Sequence, residues 1–256
     1  MKRNLMILAV GILSLAVLCT AYAQQPAGGG GGGRGGGGGG RGGGAGAAGG
    51  GQAAAAGGGA RGGGSARIPL FFKEEWKTPA AEQPVTQESV TNPNLELKLY
   101  GTKAVGGVLI TGSAQTENNP QHVWTGTCES SCAVALRDKN NFADLTGLAR
   151  MKWVSKMSGF HEIRPIVKLA NGTWLIGDHA DNNNVDWLTN EFSFSGMRWL
   201  TLDINTVVTK GNWVNNPDLS KVDEIGFADL MPGSGHGAGG WADVATIEVY
   251  GKTVPR

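Results

Sequence analysis

Past Leu95 the chain alternates apolar and polar residues with a period of two, the repeat of a half-buried strand and not the 3.6 of a helix. Leu95, Leu97 and Leu99 alternate with Glu96, Lys98 and Tyr100, and Val134 and Leu136 with Ala133, Ala135 and Arg137. Met151 and Trp153 alternate with Arg150 and Lys152, and the beat returns in Ile163, Val167 and Leu169. It continues through Leu200, Leu202 and Ile204, then Ile225 and Phe227, then Ala245, Ile247 and Val249. Turn formers separate the runs: Asn118-Asn119-Pro120, Lys139-Asn140-Asn141, Ser158-Gly159, Asn171-Gly172 and Asn215-Asn216-Pro217. Asn171-Gly172, between Leu169 and Trp174, is the strongest hairpin signal, because both residue types tolerate positive φ. Pro165 has no N–H for a ladder and implies an edge strand or a bulge. Apart from a turn near Phe142 to Leu145, no stretch carries a helical stripe. Many short half-buried strands without helices predict an all-β fold, an antiparallel β-sandwich or jelly roll over residues 68–256.

The N-terminal part follows other rules. Lys2 and Arg3 precede the apolar run Leu5 to Leu18, and Ala21-Tyr22-Ala23 follows, the layout of a secretory signal peptide over residues 1–23. The run of about 14 apolar residues falls short of the roughly 20 that span a bilayer, so no transmembrane anchor is expected in the mature chain. Cys19 leaves with the peptide, because Leu18 stands where a lipobox has a small residue. Residues 24–67 hold 25 of the 44 glycines, broken by Arg34, Arg41, Arg61 and Arg67. With no side chains to bury, this stretch cannot offset its ordering entropy and reads as a disordered linker, about 36 Å end to end as a flexible coil. It lacks the aromatics that stack bases in Arg-Gly RNA-binding segments.

Charge sharpens the contrast. The net +1 of the whole chain conceals a domain that, from Ile68 onward, has 16 basic and 21 acidic residues. An acidic domain without a Lys/Arg run argues against a nucleic acid or an anionic membrane as partner. Export places the mature protein in the periplasm or outside the cell. In that oxidising setting Cys128 and Cys132, in Cys-Glu-Ser-Ser-Cys, are expected to close a small disulfide, worth on the order of 2 kcal/mol. A zinc site would need a second ligand pair that the sequence lacks.

Late in the chain, Val222-Asp223-Glu224-Ile225-Gly226-Phe227-Ala228-Asp229-Leu230 precedes a glycine-rich loop and the strand Val244-Ala245-Thr246-Ile247-Glu248-Val249-Tyr250-Gly251. This order resembles the C-terminal strands of galactose-binding-like jelly rolls, the architecture of many carbohydrate-binding modules. The resemblance implies a closing strand paired near the first one, around Leu70-Phe71-Phe72 to Trp76. It implies fold more than ligand, since one fold hosts many functions.

All eight tryptophans lie in the domain. Flat indoles stack on the apolar faces of pyranose rings, but tryptophan also buries a large area in cores. Strand phase places Trp153 with Met151 in the core. Trp199 falls opposite Leu200, Leu202 and Ile204, beside Thr201 and Asp203, and so is a surface or ligand candidate. Trp124, Trp187, Trp213 and Trp241 adjoin polar or glycine-rich loops, where binding residues concentrate. If Ser158-Gly159 turns a hairpin, Arg150, Lys152, Glu162, Arg164 and Lys168 share an outward face. That face reads either as solvated ion pairs or as a polar surface for a hydroxylated or carboxylated glycan, with Arg164 as a planar fork. The run Gly177 to Trp187 gathers Asp178, His179, Asp181, Asp186 and three asparagines, enough oxygen for Ca²⁺, yet it misses the spaced Ca²⁺ loop and suits an ordinary turn. No cofactor or metal is therefore assigned, and His179 is kept as a ligand-binding candidate. The loop Pro232 to Gly240 lacks a phosphate-loop pattern and reads as a flap, with His236 as its titratable group.

These signs give a polysaccharide or cell-surface glycan as the expected partner of a non-catalytic, tethered domain. The alternative is a glycoside hydrolase or polysaccharide lyase on the same scaffold, using two of Glu162, Asp178, Asp181, Asp186 and Asp203. Hydrolysis asks for a carboxyl separation of about 5 Å or about 6.5–9.5 Å, and no E-x-D-x-x-E-like signature marks such a pair. A structural envelope protein is the third reading.

Overall fold

The computed structural model describes residues 67–233, 235 and 240–256. The expected signal peptide, the expected linker up to Ala66, and His236 lie outside the described residues. Fifteen strands follow in order: β1 (Leu70–Glu74), β2 (Gln83–Pro84), β3 (Leu95–Tyr100), β4 (Leu109–Thr111), β5 (His122–Trp124), β6 (Cys132–Asp138), β7 (Asn141–Asp144) and β8 (Arg150–Leu169). Then come β9 (Trp174–Gly177), β10 (Asp181–Ser193), β11 (Trp199–Asp203), β12 (Val208–Val214), β13 (Val222–Asp229), β14 (Gly240–Tyr250) and β15 (Lys252–Pro255). Every pairing among them is antiparallel, and the fold is an antiparallel β-sandwich of the jelly-roll kind. No helix among the described residues is long and apolar enough to cross a membrane.

One layer sets β10, the first half of β8 and β14 side by side, with β1 and β5 along the far edge of β14 and β4 and β2 beyond β5. The other layer runs β3, β6, β13, the second half of β8, β9, β11 and β12, with β7 and β15 at the end of β13. β8 belongs to both, so Ser158-Gly159 turns no hairpin. Gly159 (φ 73°) instead faces Gly240 (φ 91°) across the ladder, where a Cβ on Gly240 would lie 1.9 Å from the Ser158 carbonyl oxygen. Only glycine fits that crossing.

Between the layers pack Met151, Trp153 and Met157 of β8, Val244, Ile247 and Val249 of β14, Ile225 and Phe227 of β13, and Val134 and Leu136 of β6. A smaller apolar cluster, including Ala133, Ile166, Ile176, Leu202 and Val207, covers the opposite side of the second layer. That second core gives β11 apolar contacts on both faces. Trp199 is 1% exposed in the main core, parallel to Phe194 at 6.4 Å, and is no ligand platform. A register shift between Leu200 and Leu202 further breaks the phase from which a surface position was read.

Pro165 pairs with Phe227 of β13 on one side and on the other lies in the gap between the β10 pairing at Ile163 and the β9 pairing at Ile166, where a missing N–H breaks no ladder. The Asn171-Gly172 hairpin forms between β8 and β9 as a three-residue loop, closed by the Leu169 N–H donating to Thr173 O at 2.9 Å, with Gly172 at φ 88°. The polar run read as a loop to Trp187 becomes the edge strand β10, twice shifted in register against β8. Polar residues and bulges are the devices that keep an exposed edge from pairing further. Cys128 and Cys132 are free thiols, both fully buried, and no disulfide joins them. The two side chains meet through a hydrogen bond instead, which together with burial holds the Cys132 thiol well above its ordinary range.

Candidate functional site

The outer face of the first layer follows from register alone. Ala242, Val244, Ile247 and Val249 of β14 point into the core, so Trp241, Asp243, Glu248 and Tyr250 point away from it. Their cross-strand partners on β8 are Ser158, Lys156, Lys152 and Arg150. Glu191 of β10 stands opposite Lys152, Trp124 of β5 opposite Asp243, and Thr111 of β4 opposite His122. From Arg150 to Ser158 this face extends about 26 Å at a strand's ~3.3 Å per residue.

Its two ends differ in chemistry. At the Arg150 end every charge has a partner: Arg150 pairs with Glu191 at 3.1 Å and lies 4.1 Å above the Tyr250 ring. Glu248 takes Lys152 at 3.1 Å, Lys73 at 3.7 Å and the Tyr250 hydroxyl at 2.7 Å. Burial acts against the charge on Glu248, but the Tyr250 hydrogen bond and the Lys152 and Lys73 ammonium groups hold its carboxyl below the ordinary range.

At the other end Lys156 Nζ sits 5.7 Å from the centre of the Trp187 ring and 5.3 Å from that of Trp241, within the reach of cation–π attraction. Among the described residues no carboxylate comes within ion-pair distance of it. A cavity of about 300 Å³ opens here, lined by Glu82, Thr111, Asn119, His122, Trp124, Lys156, Trp241 and Asp243. Trp187 packs beside this lining: its ring lies 5.1 Å from that of His122 and its Nε1 donates to Asn118 O at 3.1 Å. Trp187 and Trp241 are half-buried, while Trp124 is 5% exposed and forms the cleft's inner wall.

His122 and Asp243 are buried beneath the cleft. His122 Nδ1 lies 2.7 Å from Pro120 O, which fixes the proton on Nδ1 and turns Nε2 towards Asp243 Oδ1 at 3.4 Å. That distance would suit an ion pair, but burial removes both charges. It pushes the Asp243 carboxyl up to about 8, against the pull of Lys156. It pushes His122 down to about 4, with Lys156 adding to the effect and the Pro120 hydrogen bond opposing it. Asp243 Oδ1 makes no hydrogen bond within the protein. Near neutral pH the cleft therefore holds the Lys156 ammonium, a neutral His122 imidazole and a largely protonated Asp243 carboxyl, framed by indoles, with the exposed Glu82 also lining it.

Trp124, Trp187 and Trp241 thus meet at one cleft, and Arg150 and Lys152 occupy the paired end of the same face. Glu162 and Arg164 do not join them. They lie six and eight residues past Lys156 on β8, and neither lines the cavity. Glu162 makes no ion pair among the described residues, and Arg164 donates its Nε–H to Gly177 O at 2.8 Å in the second layer. His179 stacks on Phe192 at 4.1 Å and contacts Asp181 at 3.0 Å. Asp181 also accepts from Trp153 Nε1 and, at 2.7 Å, from Asn190. Asp178 accepts the Arg198 backbone N–H at 3.0 Å. Asp178 and Asp181 thus serve separate structural contacts, and the described residues hold no group of three or more His, Cys, Asp or Glu placed to hold a metal ion. None of Glu162, Asp178, Asp181, Asp186 and Asp203 shares a hydrogen-bond partner with another. The sequence reading missed His122, Lys156 and Asp243. Lys156 is in phase with Lys152, and Asp243 with Trp241, so both outward directions were available in the alternation.

No protein-family model matches the chain, and no curated protein does so either. Among solved structures, a family 11 carbohydrate-binding module from Clostridium thermocellum, in complex with a β-1,3-1,4-mixed-linked tetrasaccharide, is similar at 17% identity and a TM-score of 0.42. The match covers 70% of this chain and 100% of that one. A family 61 module in complex with β-1,4-galactotriose is similar at 12% identity and a TM-score of 0.36, over 61% of this chain and 88% of that one. An exo-β-agarase is similar at 9% identity and a TM-score of 0.37, over 70% of this chain and 25% of that one. These likenesses fix no ligand for the present chain.

Proposed function

We propose that the domain binds a polysaccharide or cell-surface glycan without turning it over, and that the cleft of Trp124, Trp187 and Trp241 is where it does so. The observation that carries this is Lys156, set between two accessible indoles with no carboxylate partner among the described residues. Indole faces accept the apolar side of a pyranose ring. Lys156, Thr111, Asn119 and Glu82 line the same cavity and supply donors and acceptors for the hydroxyls at its edge. Asp243 Oδ1, buried without a hydrogen bond, offers one more. Such a mix of aromatic walls and few convergent polar groups is what small-ligand sites use. The signal-like pattern of residues 1–23 and the glycine-rich stretch after it support an exported domain carried on a flexible tether.

Affinity electrophoresis of the full mature chain through a panel of embedded polysaccharides tests the proposal. Retardation by at least one glycan, lost in Trp241→Ala with the fold intact by circular dichroism, is expected. Free migration of the folded protein through every gel would refute it. The raised Asp243 carboxyl, with Glu82 lining the same cavity, favours a second reading, a glycoside hydrolase with Asp243 as general acid. Release of reducing ends from the bound glycan, abolished in Asp243→Asn, would select that reading.

A further inference from the structure

A cavity of about 690 Å³ lies away from the cleft, between the β7–β8, β10–β11 and β12–β13 connections. Trp213, 47% exposed on β12, forms part of its wall. The Arg198 guanidinium lies over that ring with its Cζ 3.7 Å from the centroid. A cation–π contact uses the ring face and leaves the guanidinium N–H donors available. Among the described residues the Arg198 side chain makes no hydrogen bond and no ion pair. The carboxylate next to it, Asp178, is occupied at the Arg198 backbone N–H.

Among the described residues Arg198 is the sole charged one lining this cavity, and no carboxylate lines it. In a domain with 21 acidic and 16 basic residues, a cation fixed on an indole and left without an acid is a vacancy for an anion. Thr146, Ser195, Asn215 and Asn216 add hydroxyls and amides to the wall. Gly147 and Gly196, at φ 66° and 86°, bend two of the connections around it. We infer that this cavity is a second binding site, for an anionic saccharide whose carboxylate or sulfate is taken by the Arg198 fork and whose ring lies against Trp213. It uses different residues from the tryptophan cleft and does not depend on that cleft binding anything.

The test uses the full mature chain carrying Trp241→Ala, which silences the cleft, and calorimetry at low ionic strength. Three probes of equal length are compared: an oligogalacturonate, its carboxyl-reduced neutral counterpart and a sulfated galactan oligosaccharide. At least tenfold tighter binding of one anionic probe than of the neutral one is expected, the preferred probe identifying carboxylate or sulfate. Arg198→Gln should erase the preference, and Lys210→Gln, which removes an exposed cation of β12, the strand that carries Trp213, should keep it. Trp213→Ala should weaken the preferred probe at least fivefold, and circular dichroism confirms that each variant folds. Equal binding of neutral and anionic probes, no binding of any, or a preference that survives Arg198→Gln would overturn the inference.

Discussion

Replacing Asp243 by asparagine removes the titrating carboxyl beneath the cleft while keeping its shape. The consequence follows from two buried groups that titrate in opposite senses. The folded Asp243 keeps its proton up to about 8, whereas the unfolded chain releases it near the ordinary aspartate value of 3.8. Stability therefore falls as pH rises through that interval, by about 1.4 kcal/mol per unit while the two states differ by one proton. The folded His122 loses its proton near 4, whereas the unfolded imidazole keeps it to 6.5, so its contribution rises with pH between those values. From pH 4 to 6.5 the two slopes cancel. From 6.5 to 8 Asp243 acts alone and costs about 2 kcal/mol. In Asp243→Asn that late loss should vanish, and an increase of about 3 kcal/mol between pH 4 and 6.5, due to His122, should emerge. Urea unfolding from pH 4 to 9, followed by tryptophan fluorescence, reads both intervals, and contributions common to the two proteins cancel in the difference. If the two proteins differ by a constant across the whole range, Asp243 does not titrate as the geometry requires, and a variant whose stability does not rise between pH 4 and 6.5 would say the same of His122.

Trp187→Ala should weaken glycan binding about tenfold, the loss of one indole contact beside a cation, while shifting the melting temperature by less than 3 °C, because this ring is half-buried at the edge strand; calorimetry and a thermal melt separate the two. Lys168→Met leaves Glu224, 1% exposed, with the Tyr100 hydroxyl at 2.7 Å but without its ammonium partner at 2.7 Å. An uncompensated buried carboxylate costs about 3 kcal/mol, which a urea titration should register as a lowered midpoint with an unchanged slope. Gly226→Ala places a Cβ 1.9 Å from the Val134 carbonyl oxygen, with Ala135 Cα at 2.7 Å. Since β13 is held between β6 and β8, no neighbour can retreat, and the variant should lose several kcal/mol or fail to accumulate as folded protein.

The alternation read from the chain located β3, β6, the two halves of β8, β11, β13 and β14, because a two-residue side-chain period is a property of the strand backbone itself. What it could not supply was set by contacts distant in sequence. Gly159 suits a tight turn as well as a bent strand, and the choice falls to the strand because Gly240, 81 residues later, pairs with it. Trp199 was read outward on the premise that one face of β11 meets water; a second apolar cluster around Leu202 and Val207 removes the premise. Trp187 was assigned to a loop because Asp and Asn cluster before it, yet β10 uses those residues as an edge against β8. The outward direction of Lys156 and Asp243 was local information. Their convergence on His122 and three indoles was not, since it needs β5, β8 and β14 in register.

Lys152 and Lys156 stand one helical-turn's count apart in sequence but on the same strand face, and their surroundings separate structure from recognition. Lys152 meets an ionised carboxylate, Glu248, itself held by Tyr250 and Lys73. One of its N–H donors is held by that carboxylate at 3.1 Å, and an anionic ligand there would have to compete with the ion pair. Lys156 faces Asp243, but the burial that keeps that carboxyl protonated to about 8 also keeps it from competing for the ammonium. The indoles at 5.7 and 5.3 Å hold Lys156 in place by their faces without using its N–H donors. A neutralised acid and two aromatic walls thus leave a cation both positioned and unoccupied. Arg198 over Trp213 repeats the device with a different cation in a different layer. In an acidic domain, where chance alone would pair most cations with carboxylates, unpaired cations fixed on indoles are the positions from which binding is best argued.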